Sequence, residues 1–397
     1  MGARVVEGTG LENRRRFTPS VGSNPTSSAP FFPVRDARRF FSRLGDRKSE
    51  EAQELKRIAM LRRDFLRLIG GTGAAAATAR FSFASPDAEP FVRPVYSVAK
   101  SQVTWSASHS ALAVEALVYY PVDPQELCPV VIYSHGLGGA PEKFSYLANM
   151  WASRGVVGVF LHHPETDEAQ WRGRLRAMPE LRELYRRYWN ARDRALAIRF
   201  AIDRLTSPGN ESSSFAPILD LSRIGASGND LGALGALLVA GQIPPDGGPS
   251  LKDPRVTAIA PLSPPVFCDA AHAAVVYENI TIPCMTVAGT RDDGIVGTTR
   301  AWQRRIPFDA MTRSDRYHVI LNGGDHMVYS GHLRARRQAT DADYQNVIRA
   351  ATTLFWSAYL KGDRDALGFL QVGADTVLGT LATMESRKAA KPGSAAR

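Results

Sequence analysis

Leu219–Gln242 reads LDLSRIGASGNDLGALGALLVAGQ. Ser222-Arg223-Ile224-Gly225 enters as a strand, and Leu231–Ala240 leaves with apolar residues at helical spacing. Between them, Gly228-Asn229-Asp230-Leu231-Gly232-Ala233 has the frame of a nucleophile elbow, with glycines flanking the central residue. A side chain at either glycine would collide with the neighbouring strand and helix in so sharp a turn. The central position carries Asp230, where serine is usual. No single-base change turns a serine codon into an aspartate codon. Ser227 precedes the turn and belongs to the strand, so its hydroxyl is not expected to reach the same place.

Working outward, the chain of 397 residues is long enough for one large α/β domain or two small ones. Its net charge of +10 is not spread evenly: residues 1–80 carry 16 Lys+Arg against 8 Asp+Glu, and the remainder 33 against 31. The basicity belongs to the leader, and no basic stripe with interleaved aromatics follows, which argues against a nucleic-acid partner. Cys128, Cys268 and Cys284 have no metal-ligand spacing and sit at the edges of apolar runs. They read as small buried hydrophobes, with one disulfide open to them in an oxidising compartment.

Residues 1–59 are rich in Arg, Ser and Pro and show no sustained period. They read as a non-native or disordered leader, with the start expected at Met60. Gly22-Ser23-Asn24-Pro25 is what a tRNA T-arm sequence gives when translated. From Met60, Arg62-Arg63-Asp64-Phe65-Leu66 and the uncharged run Ile69–Ala79 resemble a twin-arginine export signal spanning 60–84, with Ser82-Phe83-Ala84 as a small-x-small cleavage site. The uncharged run is too short for a membrane span. The resemblance implies the export machinery as a targeting partner, a periplasmic or secreted destination and no stable membrane insertion.

From Phe91 the order is that of an α/β domain. Strands are expected at Val114–Tyr120, Pro129–Ser134, Val156–His162, Val256–Leu262, Pro283–Ala288 and Tyr317–Leu321, and helices at Lys143–Arg154, Ala191–Leu205 and Tyr344–Leu360. Continuous apolar strands alternating with helices predict a mostly parallel sheet covered on both faces. Glu165–Asn190 is a charged, helix-prone insertion, either a lid or a solvated excursion.

Asp230, Asp292 and His326 fall at the carboxyl ends of successive strands, in the order nucleophile, acid, histidine. Asp292 is preferred to Asp293 for its spacing from Gly289. Five stretches carry a family resemblance in the right order. They are Ser134-His135-Gly136-Leu137-Gly138-Gly139, the elbow, Gly289-Thr290-Arg291-Asp292-Asp293, Gly324-Asp325-His326-Met327-Val328-Tyr329, and Phe355-Trp356 with Tyr359-Leu360-Lys361-Gly362. From about Val130 to Leu360 the chain resembles the dienelactone-hydrolase-like branch of the α/β-hydrolase superfamily, a branch also similar to platelet-activating-factor acetylhydrolases.

The resemblance implies an α/β-hydrolase fold over 85–380, with a lid at 165–190 and a disordered tail at 381–397. It implies a small-molecule ester or lactone substrate, no metal or organic cofactor, and an oxyanion hole at Gly136, Leu137 and Leu231. His135, His162, His163, Tyr185, Tyr188 and Trp189 are candidates for lining the pocket or lid. Family members use Ser or Cys at the elbow. An aspartate is ionised at neutral pH without help from a base (reference pKa about 3.9) and suits attack on an alkyl carbon, as in epoxide hydrolases and dehalogenases. Three readings stay open: a triad hydrolase through Asp230, a binding protein that has lost turnover, and a structural or interaction protein.

Overall fold

The computed structural model describes residues 89–106, 113–166, 192–207, 213–330, 340–372 and 378–390, and, within the insertion, Pro179, Arg182, Glu183 and Tyr185. The chain divides into Met1–Ala79 and Arg80–Arg397. The expected leader and export signal lie outside the described residues, as do Tyr188 and Trp189.

Among the described residues nine strands form one sheet: β1 Val98–Ser106, β2 Ala113–Pro121, β3 Cys128–Ser134, β4 Val157–Leu161, β5 Leu219–Asn229, β6 Val256–Leu262, β7 Cys284–Arg291, β8 Arg316–Asp325 and β9 Ala382–Arg387. Their order is β1-β2-β4-β3-β5-β6-β7-β8-β9. The run from β4 to β8 is parallel throughout, while β1, β2 and β9 join antiparallel at the two sides. This is the mostly parallel α/β sheet that the apolar runs predict, consistent with the α/β-hydrolase fold. Every residue of β3 and β4 is buried, as a parallel strand covered on both faces requires.

Helices α1 Ser145–Ser153 and α4 Asp341–Tyr359 pack on one face, where Trp151, Phe355 and Trp356 anchor a core with Tyr133 and Phe160. Helices α2 Arg192–Thr206 and α3 Leu231–Ala240 cover the other. All ten residues of α3 are buried, so its apolar, small-residue sequence faces protein on every side. Chain order reverses between β3 and β5, and that switch is where open α/β sheets build their sites.

One boundary needs correction. The expected tail from residue 381 is not a tail over its first residues, because Ala382–Arg387 pairs in register with Leu321–Arg316 as β9. All three cysteines are free, with Cys128 and Cys284 buried. Among the described residues no helix is long and apolar enough to cross a membrane.

Candidate active site

The end of β5 explains the elbow's glycines. A Cβ on Gly228 would fall 2.3 Å from the Ser134 carbonyl oxygen, and one on Gly232 only 1.8 Å from it. Strand β3 passes too close for any side chain at either position. The turn between them forces Asp230 to φ 50°, ψ −119°, a conformation that a non-glycine residue adopts at a cost of about 1–3 kcal/mol. Its backbone N–H donates to Leu262 O at 3.1 Å, tying the elbow to β6. Ser227 does not share this exposure. It is fully buried and its hydroxyl donates to Ala260 O at 2.6 Å.

The loop after β3 faces Asp230, and a Cβ on Gly136 would lie 2.9 Å from the Asp230 Cβ. Its amides are allotted one by one. Gly136 N–H donates to Asn229 Oδ1 (3.0 Å), Gly138 N–H to Thr166 O (2.8 Å) and Gly139 N–H to Gly136 O (3.1 Å). Gly136 is therefore corrected as an oxyanion donor, because Asn229, the residue before Asp230 in the elbow, already takes its N–H. The backbone N–H groups of Leu137 and Leu231 donate to no described residue. Their side chains pack together with Tyr185.

The three histidines near this loop are also corrected: the structure shows braces, not pocket lining. His135 is fully buried. Its Nδ1 donates to Gly136 O (2.8 Å) and its Nε2 accepts from His163 N–H (3.3 Å). Burial, reinforced by the nearby Arg194 charge, holds the His135 imidazole well below its ordinary pKa and keeps it neutral. His163 Nε2 lies 2.9 Å from Ser134 Oγ, and His162 Nδ1 pairs with Glu115 at 3.2 Å on β2. Tyr185, by contrast, is in place. Only 7% exposed, it covers Leu137 and Leu231, and burial followed by the Asp230 charge raises its pKa. Its hydroxyl bonds no described residue. Beyond it opens a cleft of about 540 Å³, lined by Arg182, Phe267 and the loop Gly294–Arg300.

On the far side, His326 follows β8 and its Nδ1 lies 2.8 Å from Asp292 Oδ1. Asp292 is fully buried and its carboxylate is saturated with partners. Ser263 Oγ reaches Oδ1 at 3.0 Å, the Tyr329 hydroxyl donates to Oδ2 at 2.9 Å, and Arg304 Nε stands 3.1 Å from Oδ1. Burial alone would raise the Asp292 pKa. The Arg304 charge, then the His326 and Ser263 contacts, outweigh it and hold the carboxyl below its ordinary value. Asp293 instead turns outward to Arg300 and the Ala301 N–H.

Arg304 also donates through Nε to Asp292 O (2.7 Å) and through Nη1 to Ser263 O and Pro264 O (2.7 and 3.0 Å), and its Nη2 lies 3.3 Å from His326 Nδ1. One buried guanidinium thus fixes the ends of β6, β7 and β8. Sequence reasoning missed Arg304, Ser263 and the clamp made by Asn229. The sequence signal for Arg304 is that of an ordinary surface arginine. Among the described residues no group of three metal-ligating side chains occurs.

Asp230 on its strained turn, the Leu137 and Leu231 N–H groups and the Asp292–His326 pair thus all follow the carboxyl ends of parallel strands of the sheet, β3, β5, β7 and β8. Among protein families, that of platelet-activating factor acetylhydrolase, isoform II, matches residues 96–182. The match spans β1 to β4, the amide-bearing loop and the first part of the insertion, and it supports a hydrolase of the α/β type. No curated protein matches the chain.

Proposed function

We propose that the protein is a hydrolase whose nucleophile is Asp230 and whose substrate is attacked at an alkyl carbon. The observation that carries this reading is the conformation of Asp230. A non-glycine residue held at φ 50° at the central position of the turn after β5, on a sheet whose later strands end in the Asp292–His326 pair, supports it as the nucleophile.

In the first step an Asp230 carboxylate oxygen attacks the electrophilic carbon of an epoxide or alkyl halide. The carbon's bond to the leaving atom breaks and that atom takes the electron pair. The Tyr185 hydroxyl is the candidate donor to a leaving oxygen. In the second step His326 Nε2 takes a proton from water, and the hydroxide adds to Asp230 Cγ. The new oxyanion is held by the Leu137 and Leu231 N–H groups. Collapse breaks the Cγ–O bond to the alkyl group, the imidazolium protonates the departing alkoxide, and the Asp230 acid left behind releases its remaining proton, to the Tyr185 phenolate after an epoxide or to solvent after a halide, returning as a carboxylate with one oxygen from water. Asp292 and Arg304 keep the ring aligned throughout.

A second reading has the family match in its favour, since that family is named for an acetylhydrolase. In it, the scaffold of an esterase holds an ester-like ligand without turnover. One experiment separates the two. Epoxides, haloalkanoates, p-nitrophenyl esters and lactones are offered to the wild type, His326→Gln and Asp230→Ser. Turnover of epoxides or halides, with a covalent adduct on the Asp230 peptide of His326→Gln by mass spectrometry, supports the nucleophile. A silent wild type with esterase activity appearing in Asp230→Ser overturns it. We also infer export, from Arg62-Arg63 and the uncharged run that follows. Recovery of the protein from the cytoplasm, with peptides from residues 60–84 attached, would contradict that.

A further inference from the structure

Among the described residues, Asp123, Asp230 and Ser263 are the ones other than glycine that hold a positive φ. Asp123 is exposed between β2 and β3. Asp230 and Ser263, each at φ 50°, directly follow the neighbouring strands β5 and β6. The elbow accounts for Asp230 but not for Ser263. The backbone bonds of Ser263 need no side chain: its N–H donates to Val287 O at 2.7 Å and its carbonyl accepts from Arg304 Nη1 at 2.7 Å. Glycine would make both bonds and adopt the same φ without strain. What serine adds is a fully buried hydroxyl, and a strained residue of this kind points to a task for its side chain.

That hydroxyl stands between the acid and the histidine. It donates to Asp292 Oδ1 at 3.0 Å, and its oxygen lies 3.0 Å from His326 Nδ1. Nδ1 is 2.8 Å from Asp292 Oδ1 and therefore carries the ring's proton, since a carboxylate oxygen can only accept. Asp292 Oδ1 is shared, because it also takes the Ser263 proton and stands 3.1 Å from Arg304 Nε. Arg304 Nη2, 3.3 Å from Nδ1, is itself a donor and cannot take that proton. The Ser263 oxygen, its own proton spent on Asp292, is left as a second acceptor for Nδ1–H. One residue earlier, Leu262 O accepts the Asp230 N–H at 3.1 Å, so Leu262 and Ser263 touch the elbow with one residue and His326 with the next. We propose that Ser263 is a positioning residue: its hydroxyl oxygen accepts from His326 Nδ1–H alongside Asp292, leaves Nε2 as the unprotonated nitrogen and holds the ring in register with the Asp230 turn. Its part in turnover rests on the reading of His326 as the base toward water, but the state of the ring can be read without any substrate.

The test is nuclear magnetic resonance of the full chain with isotope-labelled histidine, in mildly alkaline buffer where an ordinary imidazole is neutral. The His326 signals are assigned by their absence from His326→Gln. Wild type is compared with Ser263→Gly and Ser263→Ala. Both variants lack the hydroxyl and only glycine sheds the strain of φ 50°, so a change common to both reports the hydroxyl. The wild type is expected to show one tautomer, protonated on Nδ1, with an Nδ1–H signal that persists in water. Loss of that signal, or a mixture of tautomers, is expected in both variants. An unchanged Nδ1–H signal in either folded variant would overturn the proposal. So would a wild-type ring protonated on Nε2 alone, a result that decides even if neither variant folds. On the best alkyl substrate of the panel, kcat should fall about 10-fold or more in both variants, with KM within about 2-fold of the wild type. Loss of the ring signal, with no alkyl substrate turned over by the wild type, would leave the part of Ser263 standing and remove only the nucleophile reading. Alkyl turnover by the wild type, with ring and kcat unchanged in the variants, would do the reverse.

Discussion

Gly136 donates its backbone N–H to Asn229 Oδ1 at 3.0 Å, so the residue preceding Asp230 holds the loop that faces the elbow. The same oxygen accepts from the Tyr133 hydroxyl at 3.3 Å, and all three groups are buried. This clamp takes up the Gly136 N–H, whereas the Leu137 N–H donates to no described residue.

Removing the clamp should therefore cost both stability and turnover. Asn229→Ala strands two buried donors, an expected loss of about 1–3 kcal/mol each at most. Asn229→Asp keeps an acceptor and should lose less. Urea denaturation gives the first quantity, and kcat on the best substrate of the panel the second. We expect a kcat reduction of about 10-fold or more for Asn229→Ala, because one of the two donors proposed for the oxyanion is no longer fixed.

Gly232→Ala should not yield stable protein. The added methyl would sit 1.8 Å from a backbone oxygen of β3, which no rotamer change relieves. An expected loss above about 3 kcal/mol would appear as insoluble expression or a collapsed Tm. The control is Gly368→Ala, where a Cβ meets nothing within 4 Å in the helix Arg364–Val372. There, stability should rise by about 0.5–1 kcal/mol.

Arg304→Met leaves the Asp292 charge buried without its cation and three strand ends without their tie. A loss of about 3–5 kcal/mol is expected in urea denaturation. Arg304→Lys should recover only part of it, since an ammonium cannot make the planar set of contacts to Asp292, Ser263 and Pro264. Equal stability of Arg304→Lys and the wild type would contradict this.

His318 makes stability depend on pH from outside the site. Buried on β8 against Phe308, its imidazole is pushed down to about 4 by burial and by the Arg305 charge. The unfolded chain takes up this proton near pH 6.5 and the folded chain only near 4. The stabilisation is therefore complete above about pH 6.5 and is lost progressively as pH falls toward 4, by up to about 3 kcal/mol. His318→Gln retains a partner for Thr286 Oγ1 and should flatten the urea midpoint between pH 7 and 4. An unchanged slope in that variant would rule out His318 as the source.

The parallel centre of the sheet was legible because strands buried on both faces must be continuously apolar, as β3 and β4 are. The elbow was legible because steric exclusion leaves only glycine at 228 and 232. The side strands β1 and β9 were not, since one-sided burial permits sequences such as ATMESR that look like loop. Arg304 and Arg305 show where local reading stops. They are adjacent and chemically identical, yet one is buried on Asp292 and the other pairs with Asp309 at the surface. Only the packing of three distant strand ends separates them. The same holds for Asn229, whose role depends on β3 and β5 lying side by side.

Strand β9 also acts as a cover. It occupies the free hydrogen-bonding side of β8, the strand whose end carries His326. Without Ala382–Arg387, β8 would present a long, largely buried-type apolar edge, an open template for pairing with another chain. The short final strand, with Glu385 and Arg387 along it, is therefore a guard against self-association as much as a piece of the domain.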